Sequence, residues 1–374
     1  MAQLIITEKD TAARRIAEIV SGKKYKTEKV YNLPLYTVED GTTYIFGLKG
    51  HLLKVDFPED YKNWQEVNPR DLINARIIKT ATKKNVLKAL RKVSKEADKL
   101  IIATDFDREG ELIGVDAANE VKKVNPDIEI TRAKFSALTE EEVNNALNEQ
   151  ELPYYNLALA GEARQDIDLI WGATLTRFLS LASKRLGTRF LSVGRVQSPT
   201  LCLIALKEKE IREFKPVQYW QIKALLKDGE SEFWAIHNRD RFLDNAEAKN
   251  IFEKLGNKGR VDKVESKKIK TPPPAPFNTT SFLAASSAIR ITPSRAMFIA
   301  ESLYMKGLIS YPRVDNTVFP PSLKMENILE ILKNQNELGI YASELIAKKR
   351  FKPTRGKKYS TDHPPIHPTG LARK

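Results

Sequence analysis

Leu100-Ile101-Ile102-Ala103-Thr104-Asp105-Phe106-Asp107-Arg108-Glu109-Gly110-Glu111 passes abruptly from apolar to charged. The first five residues read as a buried strand, an apolar run too short for a helix. The next seven carry five charges, and a helical pattern follows. On an extended backbone, residues i, i+2 and i+4 share one side. Asp105, Asp107 and Glu109 are therefore expected to project together from the sheet edge. Three hard carboxylates suit Mg²⁺, which also keeps waters and takes phosphate oxygens. Such close like charges repel unless a cation joins them. The competing reading is a helix start enriched in acids.

Working outward, residues 2–7 read as a second buried strand that ends at Glu8 and Lys9. A helix is expected over 10–21, with Ile16, Ile19 and Val20 on one face and Gly22 as its stop. Strands are expected at 43–47 and 128–133, and a basic amphipathic helix at 84–97 with Val86, Leu87, Leu90 and Val93 inward. Residues 56–76 are polar and proline-punctuated, a surface excursion. Thr139 and Glu142 match a capping box opening a helix over 139–149. The alternation of strand and helix predicts an α/β unit. Such sheets place ligands at the carboxyl ends of their strands, where both Glu8 and the acidic cluster fall. Glu8 reads equally well as a capping carboxylate.

A long helix is expected over 157–183, with Arg164 and Asp168 four residues apart on one face, a site residue pair or a solvated ion pair. Gly194-Arg195-Val196-Gln197-Ser198 opens another helix running to about 213. Arg195 and Gln197 beside a helix start make a phosphate seat or an ordinary cap. Beyond 214, strand patterning over 218–227 and 231–237 flanks Asp228-Gly229, a hairpin signal. A helix near 246–255 and a strand near 260–269 are expected to follow. The stiff Thr271-Pro272-Pro273-Pro274-Ala275-Pro276 then marks a domain boundary. Helical patterns over 279–306 bury Met297, Ile299, Ala300 and Leu303 and lead to Tyr311-Pro312-Arg313. A tyrosine beside an arginine could attack a phosphodiester and keep the phosphate clamped. The plain alternative is a strand-end tyrosine with a surface arginine. Residues 321–349 are again helical, and His363 lies among helix breakers.

Composition narrows the partner. The chain has 374 residues, 41% of them apolar, enough for two or more domains with real cores. Lys and Arg number 62 against 48 Asp and Glu, a net charge of +14 that points to a polyanion, most often nucleic acid, or else to a lysine-rich soluble surface. Cys202, the single cysteine, sits in an apolar helical run and reads as a small core residue. No Cys/His spacing suggests a zinc site. Neither a signal peptide nor an apolar stretch of membrane length is present, so no membrane is expected and the expected location is intracellular, in the cytoplasm.

Glu8 and the Asp105–Glu109 cluster in one α/β unit resemble a TOPRIM domain, a Rossmann-like module shared by primases, nucleases and topoisomerases. Gly50-His51-Leu52-Leu53, Ala163-Arg164-Gln165-Asp166-Ile167-Asp168, Leu191-Ser192-Val193-Gly194-Arg195-Val196-Gln197-Ser198-Pro199, Tyr311-Pro312-Arg313 and Thr361-Asp362-His363-Pro364-Pro365-Ile366 resemble, in order, motifs of type IA DNA topoisomerases. Glu8 followed by Lys9 is similar to the topoisomerase III and archaeal branch. Val314 and Asn316 depart from the family's usual Thr and Ser.

The resemblance implies a multidomain α/β, α and β architecture. It comprises a TOPRIM domain (1–150), the first part of a helical DNA-groove domain (151–213), the first part of a β-rich arch (214–275) and a helical catalytic tyrosine domain (276–374). It implies Tyr311 as nucleophile, with Arg313, Lys9, Glu8 and His363 as catalytic groups and Glu8, Asp105, Asp107 and Glu109 around Mg²⁺. Arg164, Asp168, Ser192, Gly194, Arg195 and Gln197 would line a groove for single-stranded DNA opened from an underwound duplex. The implied reaction is ATP-independent cleavage and religation through a 5′-phosphotyrosyl link, relaxing or decatenating DNA. The family's toroid continues beyond Lys374, so a fragment or split subunit, completed by a second polypeptide and catalytically incomplete alone, is also expected.

Overall fold

A computed structural model describes residues 2–38, 41–360 and 363–370, and these form two compact units, 1–194 with 273–374, and 195–272. In the first unit β1 (Gln3–Thr7) leads to α1 (Asp10–Val20), and β2 (Tyr25–Val30), β3 (Leu33–Val38) and β4 (Thr43–Gly47) follow. A small pair, β5 (Leu53–Asp56) and β6 (Ile78–Ala81), brackets the polar excursion. Then come α2 (Lys84–Val93), β7 (Lys99–Ile102), α3 (Arg108–Lys122), β8 (Glu129–Arg132), α4 (Glu140–Asn148) and the long α5 (Tyr155–Ala182).

The main sheet has the order β2-β3-β4-β1-β7-β8, with β4, β1, β7 and β8 parallel. Its centre is buried on both faces, which is why the strands read as continuous apolar runs. Leu4, Ile6, Leu100 and Ile102 pack with Val86, Leu87 and Leu90 of α2 and Ile113, Ala117 and Val121 of α3. Ile5, Ile45 and Ile101 face the other way, toward Ala13, Ile16 and Ala17 of α1 and Val143 of α4. This alternation is the period of two expected of strands.

The hairpin β2–β3 was not anticipated. Its two-residue turn holds Tyr31 and Asn32 at φ +50° and +63°, a left-handed pair that fits the twist of a hairpin without the usual Asn-Gly. Thr139 caps α4 as expected, its Oγ1 accepting from Glu142 N at 3.3 Å. The Glu142 carboxylate does not complete the box; it accepts from Ser136 N (2.7 Å) and Ala137 N (2.8 Å) instead.

The second unit begins with α6 (Gln197–Glu213), then the β9 (Lys223–Asp228) and β10 (Ser231–Ile236) hairpin, then α7 (Asn245–Glu253). Ile222, Phe242 and Ala248 form its small core. The strand expected near 260–269 does not form; Val261, Val264 and Ile269 are exposed and no neighbouring strand pairs with them. Cys202 is exposed rather than in a core, because α6 buries none of its residues.

The chain returns to the first unit with α8 (Thr279–Ala288), α9 (Pro293–Met305), α10 (Met325–Lys333) and α11 (Gly339–Ala347), so 321–349 is two helices. Asn278 and Ser281 make a reciprocal capping box at α8, and Thr292 with Pro293 opens α9. Gly307 then reverses the chain at φ +68°, where a Cβ would stand 2.5 Å from Leu138 O. The backbone beyond it is tied on two sides. Tyr311 N donates to Ser136 O (2.9 Å), while Ser310 N donates to His367 O (2.9 Å) and Thr369 N to Leu308 O (2.9 Å). Tyr304, Tyr311 and Val314 thereby join the cluster on the α1 face of the sheet.

Candidate active site

Three segments meet at the carboxyl edge of the sheet. The first is the end of β1. Glu8 follows Thr7, and its carbonyl accepts from Gly50 N at 2.6 Å. Gly50 holds φ +80°, a conformation that favours glycine. Lys9 Nζ lies 3.8 Å from Glu8 Oε1. Burial raises the Glu8 carboxyl above the usual range, opposed by Lys9 and reinforced by Asp107.

The second segment is the turn from β7 into α3. Asp107 is the N-cap of α3, its Oδ1 accepting from Gly110 N at 2.8 Å. The strand ends at Ile102, Asp107 N donates back to Asp105 O at 3.0 Å in a tight turn, and Glu109 sits inside the first helical turn. The expected one-sided projection of Asp105, Asp107 and Glu109 is corrected accordingly, since a helix does not keep the period of two. Glu109 instead meets Arg164 Nη1 (3.0 Å) and His51 Nε2 (3.1 Å). His51 Nδ1 lies 3.4 Å from Gln165 Nε2, linking α5 to the same corner.

The third segment carries the tyrosine. Tyr311 is buried and donates to Asp107 Oδ2 at 2.6 Å. Tyr304, one of the most deeply buried side chains, donates to Asp105 Oδ1 at 3.0 Å. The two rings pack edge to face with centroids 5.2 Å apart. His363 covers the other side of Tyr311 at 4.7 Å between centroids. Its Nε2 donates to Phe106 O (2.8 Å), between the two aspartates, and its Nδ1 meets Ser136 Oγ (3.0 Å). Asn316 pins this loop from below, Nδ2 donating to Ser360 O (2.8 Å) and His363 O (3.1 Å). Thr361 and Asp362 of the His363 motif lie outside the described residues. Arg313 Nε pairs with Glu301 Oε1 at 3.0 Å.

The electrostatics disfavour ionised tyrosine here. Burial, then Asp105 and Asp107, raise the Tyr311 phenol far above its ordinary value. Asp105 is pushed up to about 7 by burial and, next, by the charge of Glu8; the Tyr304 hydrogen bond opposes this. Burial and the closeness of the three carboxyls thus both disfavour full ionisation of this corner.

Arg132, at the end of β8, was not picked out from the sequence. It is fully buried with Glu111 as its ion-pair partner. Its guanidinium donates to the carbonyls of Ile102 (3.1 Å), Thr104 (2.7 Å) and Asp105 (3.2 Å). These bonds fix the turn that presents Asp105. The only sequence signal was a cation inside a predicted strand.

Of the residues expected to line a groove, Arg164 and Asp168 lie on α5. Residues 191–193 are stitched along that helix, Leu191 N donating to Ser180 Oγ and Val193 N to Thr176 Oγ1, both at 2.9 Å. Ser192 and Gly194 belong to this segment; Arg195 and Gln197, at the start of α6, belong to the second unit.

Comparison with known proteins divides the chain between two family models. A family model described as DNA topoisomerase matches residues 153–374, and one described as Toprim domain matches 3–138. The chain belongs to the DNA topoisomerase family. DNA topoisomerase 1 of Archaeoglobus fulgidus is 43% identical over 375 residues, covering 100% of this chain and 55% of the relative. DNA topoisomerase 3-alpha of Homo sapiens is 32% identical, covering 98% of this chain and 38% of the relative. Full-length topoisomerase I from Thermotoga maritima shares the fold with a TM-score of 0.65 and 25% identity, covering 98% of this chain and 55% of that one. The chain thus spans about half the length of the archaeal relative and of the bacterial structure.

In this topoisomerase chain the Toprim-matched part supplies Glu8, Lys9, Asp105, Asp107 and Glu109, and the topoisomerase-matched part supplies Tyr311, Arg313 and His363. Toprim domains typically bind a divalent metal ion. The donor chemistry of Glu8, Asp105 and Asp107 fits a hard dication, which would relieve the burial and mutual repulsion that raise Glu8 and Asp105. They do not stand as a ready cage. Among the described residues no group of three or more His, Cys, Asp or Glu is drawn together around a metal position. Asp105 and Asp107 are occupied by the two tyrosines, and Glu109 by Arg164 and His51.

Proposed function

We propose that this chain performs the cleavage and religation chemistry of a type IA DNA topoisomerase on a single DNA strand. The observation that carries the reading is the Tyr311 hydroxyl, 2.6 Å from an acid of the Toprim edge and flanked by His363. Tyr311 Oη attacks a backbone phosphorus, and the bond from phosphorus to the 3′-oxygen breaks. The product is a 5′-phosphotyrosyl link and a free 3′-hydroxyl. Asp107 Oδ2, which already accepts the Tyr311 hydrogen bond, is the nearest acceptor for the phenol proton. Glu8, with its raised carboxyl, is suited to protonate the leaving 3′-oxygen and to recover that proton on religation. Arg313 and Lys9 stabilise the charge on the transferring phosphate. His363 holds the Phe106 carbonyl and packs on the nucleophile, so it orients both. The link conserves the phosphodiester energy, so religation needs no ATP.

Glu8, Asp105 and Asp107 would hold Mg²⁺, with Glu109 at the margin of the set. Bound there, the ion would supply positive charge for the phosphate oxygens. Arg164, Asp168, Ser192, Gly194, Arg195 and Gln197 would guide the strand, within a TOPRIM, groove, arch and tyrosine-domain arrangement. Relaxation of underwound duplex or decatenation, at the nucleoid in the cytoplasm, would follow from passing a second strand through the break. The span of about half of its relatives supports a second reading. In it, this chain binds single-stranded DNA and turns over only with a second polypeptide that completes the fold.

The test is incubation with labelled single-stranded oligonucleotide, a detergent quench, and a search for protein-linked DNA, with plasmid relaxation in parallel. A wild-type adduct that vanishes in Tyr311→Phe, with binding retained, is expected. An adduct without relaxation would select the second reading. An adduct that survives Tyr311→Phe would remove Tyr311 from the role.

A further inference from the structure

We infer that Tyr304 is a positioning residue for both halves of the reaction centre, acting through the Asp105 carboxylate and the Tyr311 ring; this rests on the function proposed above. Tyr304 lies in the last turns of α9, fully buried, seven residues before the nucleophile and on the far side of the Gly307 reversal. Its hydroxyl reaches across to the Toprim segment and donates to Asp105 Oδ1 at 3.0 Å. Its ring edge meets Tyr311 at 5.2 Å and an interplanar angle of 69°. One side chain therefore touches the nucleophile and one of the acids opposite it.

Two tyrosines thus donate to two neighbouring aspartates, but their situations differ. Tyr311 must give up its bond to Asp107 when it attacks phosphorus, since the same oxygen forms the new bond. Tyr304 has no such demand and keeps Asp105 fixed throughout. Asp105 is also held from behind, through its own carbonyl, by Arg132 Nη2 at 3.2 Å. One aspartate is held and the other is released with each turnover. A held carboxylate loses less rotamer freedom when it takes up a cation, and partners of this kind, one bond removed from a metal ligand, typically alter metal affinity or activity about 10–100-fold.

The experiment compares wild type, Tyr304→Phe, Asp105→Asn and the double variant in two assays. The first reads the rise in unfolding temperature as Mg²⁺ is added without DNA, a measure of binding that needs no turnover. The second reads adduct formation on single-stranded oligonucleotide with and without Mg²⁺. Tyr304→Phe keeps the ring and removes only the hydroxyl. It is expected to fold, to need about 10-fold more Mg²⁺ for the same thermal response, and to shift the Mg²⁺ dependence of the adduct alike. In the Asp105→Asn background the second substitution is expected to add little, because the hydroxyl acts through that carboxylate.

A Tyr304→Phe midpoint equal to wild type would overturn the inference. So would an undiminished effect in the Asp105→Asn background, or a wild type with no Mg²⁺ response. A Tyr304→Phe chain that fails to fold would assign the hydroxyl a purely structural role and overturn it as well. No wild-type adduct, with the thermal shift and its Tyr304→Phe change intact, would instead reject the proposed function and keep only the fixing of Asp105 for cation binding.

Discussion

The carboxyl edge of the six-stranded sheet and the α6 helix treat their side chains in opposite ways. At the sheet edge nearly every polar group has an internal partner: Tyr311 on Asp107, Tyr304 on Asp105, His363 on Phe106 O, Arg132 on Glu111 and four backbone carbonyls. Along α6, Leu201, Leu203, Ile204, Leu206 and Ile211 all lie open, between 54% and 69% exposed. The difference is one of local completeness. The sheet has helices on both faces and a returning tyrosine segment, so burial is available and charges must be paired. Nothing within the second unit covers α6.

The sharpest way to break this contrast is at Arg132. Replacing it with Ala strands Glu111 as a buried charge and frees the carbonyls that shape the Asp105 turn. Loss of a partner from a fully buried pair costs about 3–5 kcal/mol. Urea unfolding of the variant is expected to show a loss of that size; a loss under about 1 kcal/mol would mean that the turn does not depend on the guanidinium.

A paired substitution probes the apolar side of the same contrast. Leu4→Ala, in the sheet centre, is expected to cost about 2–5 kcal/mol through lost burial and a residual cavity. Leu203→Ala, 69% exposed on α6, is expected to change stability by no more than about 0.5 kcal/mol. Equal costs would show that α6 is covered in solution.

The smallest effect is a pH dependence at His367. Burial lowers this histidine below its ordinary 6.5, and its Nδ1 donates to Pro365 O at 2.7 Å. The unfolded chain therefore binds a proton more readily than the folded one. The stabilising contribution is complete above pH 6.5 and is lost as pH falls below it, toward the depressed folded value. The drop in denaturation midpoint between pH 7.5 and 5.5 should shrink in His367→Gln. An unchanged drop would place the sensitivity elsewhere.

Much of the fold was legible because burial on both sheet faces leaves a strong trace. The runs at 2–7, 43–47 and 100–104 all became parallel strands, and α1, α4 and α5 lie within a few residues of their expected bounds. The β2–β3 hairpin was hidden because its turn uses Tyr31-Asn32, and its β2 face is largely polar. The strand expected at 260–269 failed because β-branched residues alone do not make a strand without a partner to pair with. Cys202 was misplaced for a related reason: an apolar helical run signals a capacity for burial, which only a neighbour can realise.

The sequence by itself determined the α/β class, the acidic positions just after the strands and the placing of Tyr311 two residues before Arg313, because these follow from short-range patterns of polarity and residue type. Tertiary structure alone decided which acid meets which group. Asp107 faces Tyr311, 204 residues away, and Asp105 faces Tyr304, 199 residues away, while Glu109 turns to Arg164 and His51. The cause is the start of α3 at Arg108, which splits one acidic run between the turn after β7 and the first turn of a helix. Backbone periodicity, once it changes from 2 to 3.6, sends neighbouring carboxylates to different partners.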